Sequence, residues 1–209
     1  MYHHQDGEGI FIIILYVNDI TLLGNKIDEI KGIKSMLASC YKMTDLGEID
    51  SYLGVQIICN RSIKHLEIDQ SHYILEIINH FRMADVNSAC TPLPAGAEVY
   101  LIKYNGKAAT SEIKYFQQII GSLLYIQIDT CLDISFAVSC LTQYAANPLP
   151  QHAHLAKYVL SYLKGMADLC LCYDGAQGMD FMATQTLVLR MTLMIVTLHW
   201  AMFFCYQMQ

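Results

Sequence analysis

The chain has 209 residues, 54% hydrophobic and 15% charged, with a formal net charge of −6. That length allows one sizeable core or two small domains, and the acidic balance argues against strong nucleic-acid binding by phosphate neutralisation. Eight cysteines without a CxxC pair read as free thiols in a reducing compartment, cytoplasm or nucleus, and the polar start MYHHQDGEGI offers no secretory signal.

In chain order, FIIILYVNDITLL predicts two buried strands, Phe11–Val17 and Ile20–Leu23, turning at Asn18-Asp19. Ile27, Ile30, Ile33, Met36 and Leu37 then suggest a helix introduced by Asn25, and SYLGVQIIC returns to strand. The spacing of Ile74, Ile77, Ile78 and Phe81 predicts a helix over Ser71–Arg82, and TPLPAGA at Thr91–Ala97 an extended linker. Apolar residues across Ser111–Tyr144 predict two packed helices, and a third starts after Pro150 and stops near Gly165. Leu187–Tyr206 is about as long as a bilayer span, which takes roughly 20 apolar residues, although Arg190 and His199 count against insertion.

Two neighbouring carboxylates at a strand-turn-strand tip can hold divalent cations for nucleotidyl transfer. Here only Asp19 is acidic, and an isolated Asn-Asp is ordinarily just a turn. His152 and His154 form an HxH pair on a predicted helix, where i and i+2 do not share a face, so a structural or solvent-facing role is expected. Cys170 and Cys172 form a CxC pair on a predicted strand without a second pair to complete a zinc site, so both read as ordinary thiols. Lys26, Lys31, Lys34 and Lys42 read as a solvated face before a template path.

The blocks LYVNDITLLGN, YKMTDLGEIDSYLGVQI, IDQSHYILEIINHFRM, TPLP, YFQQIIGSLLYIQIDTCLDISFAVSCLTQY and HLAKYVLSYLKGMADLCLCY, in this order and spacing, resemble the reverse transcriptase of copia-type retrotransposons over roughly Phe11–Met182. The resemblance implies an α+β fold: the end of a polymerase palm (1–60), a thumb-like segment and linker (61–105) and a connection-like helical segment (106–182). It also implies an RNA or DNA template-primer as partner, magnesium as cofactor, and no small-molecule cofactor. The family hairpin reads YVDD. Tyr16 and Val17 match it, Asp19 takes the place of the second metal-binding aspartate, and Asn18 stands where the first would be. An amide brings no charge to a hard cation. The chain starts a few residues before the hairpin, so the palm strand that supplies a third aspartate is expected to be absent, and the expectation is a fragment without polymerase activity. Other departures, Cys131 and Leu132 where the family has TRPDI and Met166 where it has LKGT, each fit one C-to-T or G-to-A change.

The resemblance stops near Met182. Back-translation with each codon's third base joined to the next two forces glycine from Met182-Ala183, aspartate from Met191-Thr192 and Met194-Ile195, glycine from Trp200-Ala201 and valine from Met202-Phe203. These fall where a copia-type ribonuclease H opening would want them, so 183–209 is expected to be an out-of-frame tail. Two alternatives of other classes remain: a non-catalytic interaction module adopted from a retroelement, and a tail-anchored membrane protein, the latter disfavoured by the frame argument.

Overall fold

The computed structural model describes residues 2–6, 9–175, 182–188, 191–197 and 204–208. It is a mixed helix-and-sheet chain of the expected α+β class, divided into two compact units: Met1–Glu67 with Cys172–Met182 and Thr197–Gln209, and Ile68–Leu171 with Ala183–Val196.

In the first unit, β1 (Tyr2–Asp6) pairs antiparallel with β2 (Gly9–Tyr16), and β2 with β3 (Asp19–Gly24). The strand β1 was not anticipated, because its polar residues show no apolar alternation. Helix α1 (Ile27–Cys40) follows and buries Ile30 in a small core with Phe11 and Leu22. Asn25 is not its cap: Lys26 holds that position, and the Asn25 Oδ1 accepts the Ile10 N–H at 3.0 Å, tying the end of β3 back to β2. The far edge of β3 is paired, residue for residue, with a strand from the chain's end, Phe204–Met208, in the register Phe204↔Gly24 to Met208↔Ile20. That strand in turn pairs with β4 (Asp45–Glu48).

The predicted strand SYLGVQIIC is a hairpin. Ser51–Tyr52 (β5) and Val55–Asn60 (β6) pair as Ser51↔Gln56 and Tyr52↔Val55 around Leu53 and Gly54, both with positive φ, the turn geometry that suits strand twist. A leucine is a poor marker of such a turn, which is why it was missed. This hairpin begins a four-stranded sheet in the order β5-β6-β7-β8, with β7 at His65–Asp69 and β8 at Leu171–Asp174.

The second unit is helical: α2 (Ser71–His80), α3 (Thr110–Asp129), α4 (Ser135–Thr142) and α5 (Pro150–Gly165). The periodic residues pack as expected, with Ile74, Ile78, Phe116, Ile119, Leu123, Val138 and Leu160 all in one core. Pro150 opens α5, where its missing N–H costs nothing. Gly165 closes it at a tight approach, since a Cβ there would lie 3.0 Å from the Ser88 Cβ. Beside it the Lys164 Nζ donates to the Val86 carbonyl at 2.8 Å, seating the segment after α2. The expected extended linker Thr91–Ala97 is instead a run of bends and a turn with Gly96 at φ +76°, and Ala97 already opens a short helical turn, Ala97–Tyr100.

The remaining strands, Met182–Val188 and Met191–Thr197, form a two-stranded sheet. Of the expected out-of-frame tail, residues 189–190, 198–203 and 209 and every side chain lie outside the described residues. Among the described residues no helix is long and apolar enough to cross a membrane.

Polar groups are clamped inside the second unit. The Thr130 hydroxyl donates to the Gln70 Oε1 at 2.6 Å, and the Gln70 Nε2 donates to the Asp129 Oδ2 at 3.3 Å. Gln70 and Thr130 are both buried, so losing one partner leaves the other unpaired away from water. Thr130→Val is expected to destabilise the protein by about 1–3 kcal/mol in urea unfolding, while Thr130→Ser, which keeps the hydroxyl, costs less.

Candidate functional site

The hairpin tip differs in one respect from the sequence expectation. Tyr16 pairs with Asp19, so the two turn residues are Val17 and Asn18, and Asp19 is the first residue of β3. Val17 has φ +52° and is 81% exposed. A β-branched residue in the left-handed region is strained, and for that reason the sequence pointed instead to Asn-Asp, residues that accept turns readily. The strands are also less buried than expected. Leu15, Tyr16, Val17 and Asn18 are exposed and Asp19 is half-buried, whereas Thr21, Leu22 and Leu23 are buried. The hairpin therefore projects its tip, apolar at Leu15 and Val17 and polar at Asn18, from a buried base.

Tyr52, from the tip of the second hairpin, faces the same place. Burial, then the charges of Asp19 and Tyr16, push its phenol above the ordinary value. Sequence inspection missed this residue, since nothing in SYLGV marks a site.

The donor set at the tip is one carboxylate and one amide. Among the described residues Asp19 belongs to no group of three metal-ligand side chains. Two magnesium ions favour several carboxylate or phosphate oxygens in octahedral shells, and this set does not fit them.

The other candidates resolve as follows. His152 is fully buried and His154 exposed, so the first is structural and the second faces solvent. The His152 Nδ1 accepts the Leu149 N–H at 3.1 Å and its Nε2 lies 3.0 Å from the Tyr100 carbonyl, a pattern that suits the neutral ring with its proton on Nε2. Lys26 pairs with Glu29 at 3.2 Å and Lys34 with Asp45 at 2.5 Å, whose carboxyl is held below its ordinary value first by the Lys34 hydrogen bond. Lys31 and Lys42 are exposed on the surface. Cys172 lies on β8, with Cys170 just before it.

Residues 1–95 match the family model described as reverse transcriptase (RNA-dependent DNA polymerase). Residues 1–95 thus carry a reverse transcriptase segment, and the chain is similar to the Pol polyproteins of copia-type retrotransposons. It is 29% identical over 181 residues to the retrovirus-related Pol polyprotein from transposon TNT 1-94 of Nicotiana tabacum, covering 84% of this chain and 14% of that protein. It is 34% identical over 158 residues to an uncharacterised mitochondrial protein of Arabidopsis thaliana, covering 73% of this chain and 61% of the other. It is 30% identical over 161 residues to the Pol polyprotein from transposon RE1 of the same plant, covering 77% and 11% respectively. The chain thus spans a small part of the Pol polyproteins and under two thirds of the mitochondrial protein. No solved structure matches it.

Burial holds the His152 imidazole below its ordinary value of 6.5. Protonating Nδ1 would also break its bond with the Leu149 N–H. A depressed histidine leaves both folded and unfolded states neutral above about pH 7; as pH falls below 6.5 only the unfolded chain gains the proton, so stability declines. The expected slope approaches about 1.4 kcal/mol per pH unit at most. Urea midpoints from pH 7.5 to 5.5 should show this extra decline in the wild type and lose it in His152→Gln.

Proposed function

We propose that this chain is a segment of a retrotransposon RNA-directed DNA polymerase, palm end followed by thumb and connection helices, and that it does not polymerise DNA. The carrying observation is Asn18 at the turn beside Asp19, which leaves one charge where the family mechanism draws on a cluster of carboxylates. Tyr16, Val17, Asn18 and Asp19 are the residues in the motif positions, and Asp19 alone keeps a metal-binding charge. A template-primer is the family's partner; in this chain the net charge of −6 works against gripping a polyanion.

The test uses the full chain with primer-template, deoxynucleotides and Mg2+. The expected outcome is no extension, and measurable extension by the wild type overturns the proposal. Asn18→Asp isolates the charge: it is expected to tighten Mn2+ binding at the hairpin roughly tenfold, because affinity for hard cations follows ligand charge. Equal binding by both forms would show that the missing charge is not the defect.

The same reading takes 183–209 as an out-of-frame continuation, supported by the forced codons at Met182, Met191, Met194, Trp200 and Met202. The strand Phe204–Met208 is compatible with it, since pairing with β3 uses backbone N–H and C=O groups that any non-proline sequence supplies. Genomic sequence should contain the ribonuclease H opening in the alternate frame, and its absence there removes the frameshift.

A further inference from the structure

We propose that His65, Glu67 and Cys172 form a transition-metal site, suited to Zn2+, on the four-stranded sheet of the first unit. His65 and Glu67 are two apart on β7, so their side chains leave the same face of the sheet. Cys172 lies on the neighbouring strand β8, held alongside by the Gly175 N–H donating to the Lys64 carbonyl at 2.8 Å. The His65 nitrogen, the Glu67 carboxylate oxygen and the Cys172 sulfur all lie within 4.8 Å of one another.

The geometry is near what a shared ion asks. Ligand bonds of about 2.0–2.3 Å in a tetrahedron put donor atoms roughly 3.3–3.7 Å apart. The His65 Nε2 and Glu67 Oε1 are 2.8 Å apart and need to open slightly, while the widest separation in the group needs to close by about an ångström. Side-chain rotation suffices at these positions, since His65 and Glu67 are 29% and 32% exposed and Cys172 is exposed. That exposure also leaves water a path to a fourth position.

The donor chemistry selects the metal. One imidazole, one carboxylate and one thiolate favour zinc over magnesium or calcium, which take oxygen ligands. This site is therefore separate in kind as well as place from the Asp19 hairpin, and it does not rest on the polymerase reading. β7 leads into the helical unit and β8 follows it, so an ion bound here would staple the two ends of that excursion and couple metal binding to folding.

The test is titration of the reduced, metal-free full chain with Co2+, whose bond to a thiolate gives a charge-transfer absorption band. Expected are one Co2+ per chain with that band, its displacement by Zn2+, and a higher melting temperature with Zn2+ than without. Cys172→Ser should abolish the band and the melting shift, and His65→Ala should weaken binding roughly tenfold or more. Cys170→Ser should leave all of them intact. The proposal fails if no stoichiometric band forms, if the band survives Cys172→Ser, or if Cys170→Ser removes it equally.

Discussion

The pairing of Tyr16 with Asp19 fixes the hairpin, and the placement of the candidate site follows from it. With only Val17 and Asn18 between the strands, β3 starts at Asp19, and alternation then sets which residues reach the core. Leu22 falls against Phe11 and Ile30, while the carboxylate stays at the half-buried rim. A one-residue slip would send Leu22 outward. The turn accepts Val17 at φ +52° as part of holding that register. Such a position survives only where its surroundings over-determine it, and here the strand ladder from Phe11↔Gly24 to Tyr16↔Asp19 does so.

Geometry and charge are separable at this tip. Asn18 is close in size to aspartate and equally tolerant of a turn, so either residue suits the hairpin's outline while their electrostatics differ. The fold is indifferent to the choice, because an exposed amide needs no partner beyond water. A cation site is not, since for hard ions charge is most of the affinity. The same distinction explains how the edge of β3 is filled by Phe204–Met208. An open edge offers unpaired backbone groups, which are not selective about sequence.

Much of the fold was legible because helices announce themselves through apolar spacing. Ile74, Ile77 and Ile78, then Phe116, Ile119, Ile120 and Leu123, recur at helical intervals and all are buried. Pro150 and Gly165 punctuate α5 for reasons intrinsic to their backbones. The rest lacked local signals. The strand YHHQD is polar, and Leu53 occupies a turn that favours asparagine or glycine. Asn25 has the chemistry of a helix cap and spends it on the Ile10 N–H. Cys172 gains its neighbours through strand pairing and Tyr52 through the approach of one hairpin to another, both of which join residues distant in sequence and leave no periodic trace. For the hairpin, the motif located the residues, but the register showed which of them turn.

The segment Thr130–Ile134 shows which side chains the helical unit depends on. Cys131 packs half-buried against the helical core just before a short helical turn that Leu132 opens, and Thr130, Asp133 and Ile134 each hold something in place. Thr130 bonds Gln70, Asp133 accepts the Tyr162 hydroxyl, and Ile134 is fully buried. Burial and the Asp133 carboxylate together push the Tyr162 phenol up to about 12, so it stays a donor throughout the ordinary pH range. Substituting any of these three would leave a cavity or an unpaired polar group, at a cost comparable to a sizeable fraction of a small domain's stability. The hairpin tip carries no such penalty, because its side chains face water. Exposed charges can therefore be exchanged singly at little cost to folding, whereas the residues that pack the helices cannot.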